Sequence, residues 1–169
     1  MRAAGVVLAT ALALALQTTL TRFVVRGTVA VDLVLVVVVY AALTTGPVTG
    51  LLTGTFAGLV QDALSSGVIG IGGLAKTVVG FLAGIIGTQF IVTQSLPRFL
   101  VFFAATLLHS LVFVGLYVLL DLRHFGTPYT AAVGQAAGNA AVGVVAFQLV
   151  ELLPGAVERR RAAKSQFRR

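Results

Sequence analysis

Gly46–Gly84 reads GPVTGLLTGTFAGLVQDALSSGVIGIGGLAKTVVGFLAG, two apolar runs on either side of a Ser/Gly turn, with one acid and one base set among the apolar residues. Gly46, Gly50, Gly54 and Gly58 recur at every fourth position, and the next step of that ladder is Asp62. Beyond the turn, Gly72, Lys76, Gly80 and Gly84 repeat the spacing. Glycines at i and i+4 bare a strip of helix backbone that lets a second helix approach closely, a common packing surface in lipid. Successive i+4 steps drift by roughly 40°, so the strip follows a slanted ridge and favours a crossed helix pair. In water so glycine-rich a run would be a poor helix. The stretch predicts two membrane helices folded back on each other.

The rest of the chain agrees. It is 58% hydrophobic and 10% charged, with a mean hydropathy of +1.03, outside the range of soluble globular domains. At ~20 residues per span, the 169 residues accommodate about six spans and leave no room for a sizeable soluble domain. Cysteine is absent, which excludes disulfides and thiolate metal sites. The net charge of +7 does not point to nucleic acid. Much of it sits beyond the last apolar run, where Arg159, Arg160, Arg161, Lys164, Arg168 and Arg169 stand against Glu158 alone. A surface of anionic lipids suits such a tail.

The sequence therefore predicts an all-α integral membrane protein with six transmembrane helices over residues 1–154 and a basic cytoplasmic tail over 155–169. Met1–Leu20 also fits a cleavable signal peptide, but the many apolar runs that follow favour a first membrane helix. Arg22, Arg26 and Gly27 form a polar break before a short, Val-rich second run, Ala30–Leu43. Gly46-Pro47 opens the third helix, which reaches Leu64, and Ser65-Ser66-Gly67 turns it. A fourth helix is predicted over Ile69–Ile91, with a break from Gln94 to Arg98 at Pro97. The fifth spans Phe99–Leu120, and a polar loop holds Arg123 and His124. The sixth covers Tyr129–Leu153 and ends at Pro154. With six spans, Arg2, Arg98 and the tail share one side, and Arg22, Arg26 and Arg123 the other. The positive-inside rule then places both termini in the cytoplasm.

Asp62 and Lys76 form the sharpest candidate pair. An ionisable group costs ~2.5–3.5 kcal/mol at the centre of a span, so such groups face protein or water and find partners. Asp62 is expected near the outer interface and Lys76 deeper, within reach of each other if Lys76 extends outward. They could serve as a proton or ion relay, or as an ion pair locking two helices. A relay needs a row of titratable groups across the membrane, which the sequence does not display. His109, inside the fifth helix with Ser110 beside it, lacks a second His at helical spacing and is expected to hydrogen-bond another helix. Gln135 and Asn139, with Gly134, Gly138 and Gly143, form a small-and-polar stripe suited to joining helices. Asp32 and Glu151 fall near helix ends, where water is expected to reach them. Gly70-Ile71-Gly72-Gly73 has neither the strand nor the Gly-Lys-Thr ending of a phosphate loop. No Ser-His-Asp or paired-carboxylate pattern suggests catalysis, and no cofactor or metal is expected.

Asp32-Leu-Val-Leu-Val with Tyr40, Gly46-Pro, Gly50, Gly58-Leu-Val-Gln-Asp62, Ser66-Gly67, Gly70, and Leu74-Ala-Lys76-Thr with Gly80 together resemble the rod shape-determining MreD family. One departure is Val31, which precedes Asp32 where that family often carries proline. The resemblance implies a non-enzymatic subunit of the bacterial elongation (rod) machinery in the cytoplasmic membrane. Its partners would be the scaffold MreC and, through it, the filament protein MreB, the polymerase RodA and a class B penicillin-binding transpeptidase. It also implies a fold similar to the substrate-binding subunits of energy-coupling-factor vitamin transporters. On this reading Gly50, Gly54, Gly58, Gly72, Gly80 and Gly84, with Asp62, Lys76 and Asn139, are structural or partner-binding candidates. A vitamin-capture subunit and a small ion-coupled transporter are the alternatives.

Overall fold

The computed structural model describes residues 3–23, 31–65, 68–90, 94–122 and 128–166. The expected break at Arg26-Gly27, the turn residues Ser66 and Gly67, the loop residues Arg123 and His124, and the terminal Arg2, Arg168 and Arg169 lie outside the described residues. Among the described residues there are six helices: α1 (Ala3–Phe23), α2 (Leu33–Thr45), α3 (Pro47–Leu64), α4 (Ile71–Gln89), α5 (Ser95–Leu119) and α6 (Pro128–Gln166). Among the described residues three segments are long and apolar enough to cross a membrane, Ile71–Gln89, Ser95–Leu119 and Thr130–Leu152.

The centre of the bundle is α2, buried at Val34, Leu35, Val36, Val38, Val39, Ala41 and Ala42. A helix apolar on every side has no polar face to offer water and packs inside. One face of α2 joins Val79 and Ala83 of α4, Phe102 and Ala105 of α5, and Ala140 and Phe147 of α6. The other meets Ala13 and Leu14 of α1 and Ala57 of α3. With 13 residues, α2 is only about 20 Å long at the helical rise, short of the ~30 Å hydrocarbon core. Gly46 ends α2 and begins α3 at φ +100°, a backbone conformation that other residues rarely adopt. Pro47 takes the first helical position, where its missing N–H leaves nothing unpaired.

Helices α3 and α4 form an antiparallel zipper built on the two glycine ladders. A Cβ at Gly50 would strike the carbonyl of Gly80, one at Gly54 the carbonyl of Lys76, and one at Gly58 the backbone of Gly73. A Cβ at Gly84 would strike Pro47, and one at Gly72 the carboxylate of Asp62. Both ladders are thus consumed inside the chain, bare backbone against bare backbone. Helices α5 and α6 form a second group: among the described residues they pack on each other and, of the other helices, meet α2 and α4.

Two expected ends move. Pro97 does not separate α4 from α5; it lies in the first turn of α5, where a proline removes no intrahelical bond. Pro154 does not end α6, whose backbone continues to Gln166. A proline deletes one backbone hydrogen bond, and the Ala-, Glu-, Arg- and Lys-rich sequence after it strongly favours helix.

The zipper predicts unequal tolerance to a single methyl. Gly54→Ala should destabilise the chain by roughly 1–3 kcal/mol through overpacking. Gly115→Ala, in open space on exposed α5, should be neutral or stabilising by up to about 1 kcal/mol. Unfolding in mixed micelles measures both, and equal tolerance at the two positions would contradict the zipper.

Candidate functional site: a buried polar centre

The start of α2 is a buried chain end inside apolar surroundings, and its backbone must find partners other than water. Three side chains supply them. Gln17 of α1 donates to the carbonyl of Val31 at 3.0 Å and accepts from the Leu33 N–H at 2.9 Å. Asn139 of α6, fully buried, accepts from the Asp32 N–H at 2.8 Å. Asp32 caps its own helix, its Oδ1 accepting from the Leu35 N–H at 2.9 Å.

The other carboxylate oxygen of Asp32 holds Lys76. Nζ of Lys76 lies 2.8 Å from Oδ2, with side-chain exposures of 4% and 7%. The same ammonium lies 3.3 Å from Nε2 of His109 on α5. Asn139 also donates to Oγ1 of Thr106 at 3.2 Å, and Thr106 donates to the Phe102 carbonyl at 2.9 Å. One connected set of polar groups therefore ties α1, α2, α4, α5 and α6.

The expected pairing of Asp62 with Lys76 does not occur, and the zipper register explains why. Lys76 stands opposite Gly54, eight residues before Asp62 and so about 12 Å away along α3. Asp62 instead accepts from the N–H groups of Gly70 and Gly73, at 2.9 and 3.0 Å, through Oδ2. Those are orphan donors of the first turn of α4, so Asp62 fastens the α3–α4 connection as a capping group. Asp32, expected where water reaches, is only 5% exposed. Its role was hidden because the partners come from residues 76 and 139, far along the chain. Gln17 was missed altogether; its one available signal is that it is a lone amide in the Ala/Leu run of α1.

A second ion pair closes the other end of the α5–α6 contact. The Arg98 guanidinium grips Glu151 with both terminal nitrogens, Nη1 donating to Oε2 at 3.0 Å. It also lies 4.5 Å over the Phe147 ring, a favourable cation–π placement. Among the described residues no group of three or more His, Asp or Glu side chains is placed to hold a metal ion. A buried ion pair closed on itself, with amides satisfying nearby backbone, can position helices.

The family model described as rod shape-determining protein MreD matches residues 2–153. No curated protein and no solved structure matches the chain.

Removing one member of a buried ion pair leaves the other uncompensated, at a cost of roughly 3–5 kcal/mol. Asp32→Asn, which retains an oxygen for the Leu35 cap, should show that loss in micellar unfolding, and adding Lys76→Met should recover part of it. Asp62→Asn also keeps an acceptor for its two N–H donors and should cost about 1 kcal/mol or less. A larger loss at Asp62 than at Asp32 would refute this assignment of partners.

Proposed function

Because the chain belongs to the rod shape-determining protein MreD family, we propose that it is a non-enzymatic scaffold of the bacterial elongation complex that works by helix packing in the cytoplasmic membrane. On this reading it binds MreC and, with it, RodA and a class B penicillin-binding transpeptidase. MreB is reached indirectly, and the output is regulated peptidoglycan synthesis and cell shape. Residues 1–154 form six spans, related in fold to the substrate-binding subunits of energy-coupling-factor transporters. Both termini face the cytoplasm, and the basic residues 155–169 lie at anionic lipid headgroups.

The observation that carries this reading is the direction in which chemistry and packing face. The Asp32–Lys76 pair and the glycine ladders are turned inward and engaged with partners in the same chain. The outside carries Val7, Leu8 and Leu12 of α1, Leu52 and Phe56 of α3, and Leu111 and Leu119 of α5. Such a surface supports recognition of partner helices by apolar shape. The short α2 is compatible with six spans because its buried start borrows backbone partners from α1 and α6. The partner-binding role first considered for Gly50, Gly54, Gly58, Gly80 and Gly84 passes to these outward faces, since the ladders are already occupied.

A mild-detergent pull-down of the tagged chain from its native membrane, read by mass spectrometry, tests the proposal. MreC and the polymerase–transpeptidase pair should co-elute. Recovery of an energising ATPase module in their place would assign the chain to solute uptake.

A further inference from the structure

The polar centre lies on the seam between the two helix groups, and its geometry fixes a protonation state. Lys76 can only donate, and it already donates to Asp32. For its ammonium to approach Nε2 of His109 at 3.3 Å, that nitrogen must be bare and accepting. The imidazole is then neutral, with its one proton on Nδ1. Nδ1 is buried and makes no hydrogen bond to the described residues, so the closed arrangement carries an unsatisfied donor. From this geometry we propose that Asp32, Lys76 and His109 form a proton-sensitive latch between α2–α4 and α5–α6: neutral His109 holds it shut, and a proton on Nε2 opens it.

The mechanism is electrostatic and sterically explicit. A proton taken from water by Nε2 replaces an N···H–N hydrogen bond with two cations facing each other across the same gap. Of the groups facing His109, Asp32 alone offsets that repulsion, and only in part. From α4 comes Lys76, and from α2 comes Asp32, whose Oδ2 is engaged by Lys76. From α6 comes neutral Asn139, itself bonded to Thr106. On α5, His109 stacks on Phe113, which in turn contacts Tyr117. Among the described residues neither α1 nor α3 packs against α5.

The separation is hinged. The other half of the seam is the apolar cluster of Val39, Ala42, Ala83, Phe102 and Phe147, and beyond it the Arg98–Glu151 pair holds α5 to α6. Loss of the Lys76–His109 contact therefore weakens the end of the bundle at which α2 begins, where Asn139 still accepts from the Asp32 N–H, while the apolar cluster toward the opposite end acts as the pivot.

The absence of cysteine from the chain makes the test direct. Leu59→Cys on α3 and Val133→Cys on α6, both at the latch end, carry spin labels in the full chain in lipid nanodiscs. Between about pH 8 and about pH 3, low enough to charge an imidazole buried against an ammonium, the distance distribution should lengthen and broaden. In His109→Gln, whose side-chain oxygen accepts from Lys76 at either pH, it should stay fixed. An unchanged distribution in the parent, or the same change in the Gln variant, would overturn the latch. Should the Gln variant fail to fold, ¹⁵N shifts of the histidine rings in the parent decide: at about pH 8 one ring should be the Nδ1–H tautomer, and an Nε2–H tautomer at His109 would refute the proposal.

Discussion

The fold depends on the ion pair between Asp32 and Lys76, because it resolves a problem that α2 creates. A short helix apolar on every side must sit at the centre of the bundle, yet its first residues then bring unpaired backbone N–H groups into apolar surroundings. Asp32 answers with one oxygen for its own helix and the other for Lys76. Gln17 and Asn139 complete the set from α1 and α6. Charge is tolerated there because each charge has a partner and each partner belongs to a different helix. The same groups that make the site costly when broken also fix which helices are neighbours.

The glycine zipper of α3 and α4 complements that centre by different physics. It brings two backbones close without polar side chains, and dispersion between bare backbones takes the place of the hydrophobic effect that lipid lacks. It also sets the register that carries Lys76 past Gly54 and toward α2, well away from Asp62. Asp62, left at the connection, caps the first turn of α4. The packing of one helix pair thus decides the electrostatics of another.

Local pattern made much of this legible. The spacing of Gly46 to Gly58 and of Gly72 to Gly84 predicted a close helix pair, and the ends of α3 follow from Pro47 and the Ser65 turn. Composition and the Asp32–Gly84 motifs were enough for the family, which matches residues 2–153. What sequence did not reveal is what depends on tertiary register: the partner of Lys76, the burial of Asp32, and the service of Gln17 to a backbone break. Rules for single residues also misplaced two ends. Pro97 sits inside the first turn of α5 and Pro154 inside α6, since a proline's effect depends on which backbone bond it removes.

The measurement that bears most directly on this account is the dipolar coupling between Lys Nζ and Asp Cγ, read by solid-state NMR on the ¹⁵N-Lys, ¹³C-Asp chain in lipid bilayers. The chain holds only Lys76 and Lys164 as lysines, so the spectrum is simple. A strong Lys–Asp coupling should persist in Asp62→Asn and vanish in Asp32→Asn, because Lys76 pairs with Asp32. A coupling that vanishes in Asp62→Asn and survives in Asp32→Asn would contradict that pairing.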